Sequence, residues 1–168
     1  MSPPAVQDLQ PFRGHSPDQQ RPLGGYGVLM AIFAGLCAMF AVWLRNDGRE
    51  LPESVAPGDL ALVAVATHKL SRMIAKDRST STIRAPFTRF ENDAGPGEVD
   101  EAARGHGLRQ AIGELLICPY CLGMWITSGF LAGLIVSPRA TRWIASGFAA
   151  LTGADMLQIA YKRAEDEL

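Results

Sequence analysis

Two cysteines, three positions apart, are the residues of this chain best suited to chemistry. Cys118 and Cys121 flank Pro119 and Tyr120 in a Cys-Pro-Tyr-Cys motif. Because the residue before a proline avoids helical backbone angles, Cys118 is expected to be the N-cap of a helix that begins at Pro119. The N-cap and N3 side chains face each other, so the two sulfurs are expected within disulfide reach. A thiol at a helix N-terminus beside a basic loop also ionises more readily, which favours reactivity.

Three interpretations of this pair stay open. The cysteines cap and pack the helix start, or they form a redox-active dithiol in which Cys118 attacks and Cys121 resolves, or they bind a metal in a dimer. A closed zinc site needs four ligands, and the chain offers only scattered histidines besides this pair. The same four letters occur in glutaredoxins, but the strand that precedes the motif there is missing here. We therefore expect no metal and no cofactor, and favour a non-enzymatic role over an enzyme.

An acidic residue inside an apolar run is the second candidate site. Asp155 lies six positions before Tyr161, about 9 Å from the end of its helix. A carboxylate in lipid needs a cationic partner, and we expect Arg72 or His68 to pair with it across the bundle. Such a pair would serve as a polar clamp that fixes helix register, or as part of a proton or ion relay.

A run of basic side chains with interleaved hydroxyls is the third candidate site. Lys69, Lys76, Arg78 and Arg84 accompany four Ser and Thr residues at positions 79–82. This composition suits contact with a phosphate or a lipid headgroup at the membrane surface. The simpler interpretation is a positively charged anchor of a cytoplasmic loop. A glycine-rich phosphate loop and interleaved aromatic residues are both missing from the sequence, which argues against nucleotide and nucleic-acid partners.

The elements that position these residues are predicted from long uncharged runs. The chain has 168 residues, of which 48% are hydrophobic and 20% charged, and the charges are clustered. This distribution excludes an ordinary soluble domain. Residues 22–44 and 115–138 carry no charge, and each run is long enough to cross a bilayer as a helix. A cleaved signal peptide is the competing interpretation of the first run, but that run is too long and follows a proline-rich segment.

The predicted fold class is all-α: an integral membrane bundle of about four transmembrane helices plus a short amphipathic interfacial helix. The transmembrane helices are predicted at residues 24–44, 57–76, 118–137 and 141–161. The remaining segments are a disordered cytoplasmic tail (1–23), a basic and acidic cytoplasmic loop (77–107) and the interfacial helix (108–117). The last segment reads equally well as an extension of the helix that follows it.

Charge orients this bundle and suggests its partners. Eight Lys and Arg residues lie between Lys69 and Arg109, and basic loops stay in the cytoplasm. The N- and C-termini of this cell-membrane protein are therefore both expected to be cytoplasmic. Small residues four positions apart, such as Gly129 and Gly133, favour close helix packing and self-association. The expected partners are thus the lipid bilayer and a second copy of the chain.

Two blocks of sequence together carry a resemblance to a known family. The first runs from His68 through Asp77 to Arg84, and the second is Leu-Ile-Cys-Pro-Tyr-Cys-Leu-Gly-Met-Trp, ending at Trp125. With both blocks, the chain resembles the bacterial membrane family called domain of unknown function 1360, from about Leu60 to the last helix. The resemblance implies a small multi-pass membrane protein with an Arg-x4-Asp element at Arg72 and Asp77. Residues 89–107 depart from the family pattern as an apparent insertion.

The family name carries no activity, so function rests on the residues. We expect a multi-pass bacterial membrane protein that acts as a non-enzymatic component or interaction protein. The alternative is a membrane thiol-disulfide exchange protein that uses Cys118 and Cys121. A small transporter or ion-pathway component that uses Asp155 is the weaker alternative.

Overall fold

A computed structural model describes His15 and residues 21–167 of the chain. Most of the segment predicted as an N-terminal tail lies outside the described residues. The elements in chain order are α1 (Leu23–Asn46), α2 (Pro57–Lys76), α3 (Ser81–Arg84), β1 (Thr88–Gly95), β2 (Glu98–Ala103), α4 (Leu108–Leu116), α5 (Pro119–Val136) and α6 (Pro138–Asp166).

The hydrophobic core lies where α2, α5 and α6 pack against one another. Its buried members are Val63, Ala66, Phe130 and Ala145. The two alanines allow the helix backbones to approach closely. The ring of Phe130 meets that of Phe148 edge to face, with centroids 6.4 Å apart. These contacts hold α5, and with it the cysteine motif at its start, in a fixed position.

The prediction of an all-α bundle with four transmembrane helices is wrong in two respects. Residues 88–103 form a two-stranded antiparallel sheet, so the described fold is mixed, with six helices and one hairpin. Within the described residues, only α1 and α5 are long and apolar enough to cross a membrane.

The charges on α2 and α6 explain the second error. Arg142 of α6 binds Asp59 of α2 at 2.8 Å, and Lys69 of α2 binds Asp155 of α6 at 2.6 Å. The segment of α2 between Asp59 and Lys69 rises only about 15 Å, roughly half the thickness of the hydrocarbon core. Each of these two charges is neutralised by a partner on α6, which a count of apolar residues does not register.

The hairpin forms where the sequence suggested a solvated loop. Gly95 and Gly97 both have positive φ angles at its turn, where residues with a Cβ are disfavoured. Thr88 of β1 and Val99 of β2 are buried, while most of the acidic side chains of the hairpin lie at the surface. We call residues 77–116, which comprise the hairpin with α3 and α4, the platform.

α1 contacts the rest of the protein mainly through its first half. The backbone of Gly25 lies so close to α4 that a Cβ there would stand 2.6 Å from the Cβ of Ala111. Further along, the ring of Phe33 meets that of Trp125 on α5 at 5.1 Å between centroids. The platform and α5 therefore fix the start of α1, and a cleft is left between these elements.

Candidate functional site

The cysteine motif lies at the junction of the platform and α5. Cys118 is the N-cap residue with extended backbone angles, Pro119 begins the helix, and the sulfur of Cys118 accepts the backbone N–H of Cys121 at 3.2 Å. The two cysteines are joined by a disulfide, with their Cα atoms 5.2 Å apart. Cys118 is half-buried, whereas Cys121 is exposed. The backbone N–H of Cys121 would therefore stabilise negative charge on the sulfur of Cys118, and Cys121 itself is accessible to solvent.

A cleft of about 890 Å³ opens beside this disulfide. We call it the cysteine groove; α1, β2, α4 and α5 form its walls. Its apolar lining comes from Leu29, Met30, Leu115, Met124 and Trp125, and its sulfur edge from Cys118 and Cys121. A volume in this range suits a small-molecule ligand.

One end of the cysteine groove is polar. The hydroxyl of Tyr26 on α1 donates a hydrogen bond to the carboxylate of Glu114 on α4, which also accepts from Gln110 at 3.0 Å. Arg21 lies at the same end of the groove. The groove therefore combines an apolar body with hydrogen-bonding groups at one end. The amphipathic pattern of residues 108–117 predicted the helix that forms one wall of this groove, but nothing in the sequence indicated that Tyr26 would contact it.

Asp155 has a different partner from the two expected. The ammonium of Lys69 donates to its carboxylate at 2.6 Å. Arg72 instead makes a bidentate contact with Glu98 of the hairpin, at 2.8 and 2.7 Å, and His68 lines the same cleft as Asp155. The expected pairing is corrected because Glu98, placed in a solvated loop at the sequence level, attracts the arginine.

The basic residues considered for headgroup contact are each engaged with an acid. Lys76 binds Asp100 at 2.8 Å, and Arg78 binds Asp93 at 2.9 Å. With Arg72 and Glu98, these pairs attach the hairpin to the end of α2 and the turn after it. Acids that the sequence presented as a loop tip therefore act as the counter-charges of α2.

Arg84 is not available to a headgroup because it is fully buried. Its side chain is 0% exposed and that of its partner Glu101 is 5% exposed. The guanidinium also donates to the backbone oxygens of Ile74 and Asp77 and to the hydroxyl of Thr80. This network joins the end of α2 to α3 and β2. No pattern in the sequence distinguishes Glu101 from the neighbouring acids.

The electrostatics of the platform acids follow from these contacts. Burial by itself would raise the pKa of Glu101, but hydrogen bonds from Arg84, Thr88 and Ser81 outweigh it and hold the pKa below its ordinary range. The hydrogen bond from Lys76 lowers the pKa of Asp100. Both carboxylates are therefore charged at neutral pH, and at that pH they accept all of these hydrogen bonds.

The structure brings few metal-ligand types together. No group of three His, Cys, Asp or Glu side chains that could hold a metal ion occurs among residues 21–167 and His15. Within this part of the chain, Cys118 and Cys121 are engaged with each other.

Comparison with known proteins supports the resemblance carried by the two sequence blocks. The model of the family described as "Protein of unknown function (DUF1360)" matches residues 62–161, a span that runs from α2 into α6 and contains the hairpin and the cysteine motif. The chain is 32% identical over 88 residues to "Sporulation protein YjcA" of Bacillus subtilis (strain 168), covering 51% of this chain and 75% of the relative. No solved structure matches the chain. The chain therefore belongs to DUF1360, a protein family of unknown function.

Proposed function

We propose that this protein is a non-enzymatic membrane component in which the apolar helices α1 and α5 lie in the bilayer and the platform lies at the cytoplasmic surface. The observation that carries the proposal is the outer face of α1. Its large apolar side chains are exposed along the helix: Val28, Ile32, Leu36, Met39 and Val42. A continuous apolar surface of this kind is unfavourable in water and favourable in lipid.

The arrangement of helix ends supports one orientation. α1 and α5 both begin at the platform, since Gly25 packs on α4 and Cys118 directly follows it. The last turns of α6, including Lys162, line a cleft with the hairpin turn. The platform carries the basic residues that favour the cytoplasmic side. We therefore place the platform and both chain termini in the cytoplasm.

Membrane insertion is tested with two matched substitutions. Leu36 lies near the middle of α1 and Leu51 lies outside it, and both are exposed. A lysine at the centre of a membrane helix costs about 3 kcal/mol. We expect the unaltered protein to stay in the membrane pellet after carbonate extraction, Leu36→Lys to reduce that fraction, and Leu51→Lys to leave it unchanged. Recovery of the unaltered protein in the soluble fraction would refute the proposal.

Orientation is tested with a single cysteine on a background in which the three native cysteines are serine. Ser79 lies on the platform and is exposed. A membrane-impermeant maleimide should leave Ser79→Cys unlabelled in intact cells and should label it after permeabilisation. Labelling of Ser79→Cys in intact cells would place the platform outside the cell.

Thiol-disulfide exchange is a second candidate, favoured by the exposed disulfide at the start of α5. In this reaction the Cys118 thiolate attacks the disulfide of a partner protein and releases one partner thiolate, which takes up a proton. The Cys121 thiolate then attacks the mixed disulfide. The internal disulfide forms, and the partner leaves with its second thiol. The chain is oxidised by two electrons and the partner is reduced by two.

This candidate is tested by trapping in cells. Cys121→Ser should accumulate a mixed disulfide through Cys118, visible as a reducible higher-mass band. The double variant with Cys118→Ser should not form that band, and Cys37→Ser on α1 should behave like the unaltered protein. A Cys118–Cys121 pair that never changes oxidation state under oxidant or reductant would eliminate exchange.

Transport, the weaker alternative, gains no support in the described residues, because Lys69 engages Asp155.

A further inference from the structure

We propose that the cysteine groove binds a single-tailed lipophilic amphiphile, with its apolar body between α1 and α5 and its hydrogen-bonding head at Tyr26 and Glu114. The proposal is independent of dithiol chemistry, since the groove would hold such a ligand whether or not the cysteines react. It rests on the proposed membrane location of α1 and α5 and goes beyond it by giving the chain a specific small-molecule ligand.

The lining of the groove argues for an apolar body. The side chains of Leu29, Met30, Met124 and Trp125 face a space of about 890 Å³, large enough for a molecule of lipid size. Methionine side chains adapt to irregular ligands, and an indole ring offers a broad flat contact. A hydrophilic metabolite would lose its hydration against this lining without recovering hydrogen bonds.

The location of the groove argues that the ligand comes from the lipid phase. α1 and α5, which form two of its walls, are the helices of the described residues that are long and apolar enough to span a membrane. A ligand already dissolved in the bilayer can enter between them without crossing water. The opposite wall is the platform, through β2 and α4.

The polar end argues for a head that forms hydrogen bonds. Tyr26 and Glu114 share one hydrogen bond at this end, and Gln110 supports the carboxylate from the next turn of α4. A ligand carboxyl group or a quinone carbonyl can both accept from the Tyr26 hydroxyl in place of Glu114. The shared chemistry is a carbonyl acceptor on a lipophilic body, which protonated fatty acids and membrane quinones both supply, and different probes distinguish these two sources.

Binding is measured by quenching of Trp125 in the detergent-solubilised full-length chain. The chain has three tryptophans, and Trp125 alone remains after Trp43→Phe and Trp143→Phe. The probes are 9,10-dibromostearic acid and decylubiquinone, both of which quench indole fluorescence on contact. The matched control keeps Trp43, at the far end of α1, in place of Trp125. This control reports partitioning into detergent alone.

Two substitutions on the hairpin separate binding from non-specific quenching. Ala102 lines the groove, whereas Ala94 on the other strand is exposed and lies outside it. Ala102→Phe should fill the groove and abolish saturable quenching, while Ala94→Phe should leave it unchanged. Tyr26→Phe should weaken binding by about three- to tenfold, the effect of one lost hydrogen bond.

The outcomes decide the proposal. Saturable quenching of Trp125 but not Trp43, lost in Ala102→Phe, supports it, and the probe that binds identifies the source. Equal quenching of both tryptophans by both probes overturns it, as does equal binding by Ala102→Phe and Ala94→Phe. Repeating the titration after Cys118→Ser and Cys121→Ser separates this proposal from thiol exchange, since binding should persist when exchange is impossible.

Discussion

The guanidinium of Arg84 and the carboxylate of Glu101 lie 2.9 Å apart in the interior of the platform, both almost completely shielded from solvent. Residues 17 positions apart in sequence thereby connect α3 to β2. Breaking a buried pair leaves an uncompensated charge, which is far more costly than the loss of an exposed pair.

Arg84→Leu should lower the free energy of unfolding by about 3 to 5 kcal/mol, because Glu101 is left buried without its cation. Arg78→Leu is the matched control, since the Arg78–Asp93 pair is exposed on both sides and contributes about 0 to 1 kcal/mol. Thermal unfolding of the solubilised protein, followed by circular dichroism, compares the two. Equal melting temperatures for both variants would contradict the assigned role of the buried pair.

Stability should fall in acid because the pKa of Glu101 is depressed. Its ordinary value is 4.5, and the hydrogen bonds from Arg84, Thr88 and Ser81 bring the folded pKa below that value despite burial. The stabilisation is therefore complete above about pH 4.5 and is lost as the pH falls through the folded pKa. Melting temperatures measured from pH 7 to pH 3 should show this decline. Glu101→Gln should be less stable at pH 7 and should flatten the curve.

The Arg72–Glu98 contact should fasten the hairpin to α2. Either single reversal, Arg72→Glu or Glu98→Arg, places like charges together and should speed hydrogen exchange of the β1 and β2 amides. The double reversal should restore much of the protection. Because the arginine is half-exposed, the coupling should be about 1 kcal/mol or less and should shrink in high salt. Independent effects of the two reversals would show that the pair does not fasten the hairpin.

Gly113→Ala should destabilise the platform, because the new Cβ would lie 2.5 Å from the backbone oxygen of Phe87 and 3.0 Å from the Cβ of Ala103. Overpacking of this kind costs about 1 to 3 kcal/mol. Gly129→Ala is the control, since a Cβ at that helical position meets no atom within 4 Å. Melting temperatures should fall for the first variant and hold for the second. A neutral Gly113→Ala would show that the hairpin adjusts freely to α4.

The start of α5 could be anticipated because its determinants are local. Pro119 restricts the backbone of Cys118, and the spacing to Cys121 follows from helix geometry. The uncharged runs in α1 and α5 likewise reflect composition over a single segment. Family membership was accessible for the same reason, since both blocks are short and contiguous.

The hairpin and its ion pairs could not be anticipated because they depend on residues distant in sequence. Val99 is a lone buried apolar residue among acids, so no sustained alternation marks the strand. The acids of the hairpin resembled a solvated loop tip because their partners, Arg72 and Lys76, lie on α2 and are distant in sequence. For the same reason the partner of Asp155 is Lys69 and not the expected Arg72, because Arg72 pairs with Glu98 of the hairpin.

The two contacts between α2 and α6 have a mechanical consequence. Asp59–Arg142 and Lys69–Asp155 connect the parallel helices α2 and α6 at two separated levels. Sliding one helix past the other by a single turn, about 5.4 Å, would break both fastenings together. The two helices should therefore move as one rigid unit, so a displacement of the ends that carry Asp59 and Arg142 would also displace the hairpin, which is attached to the other end of α2.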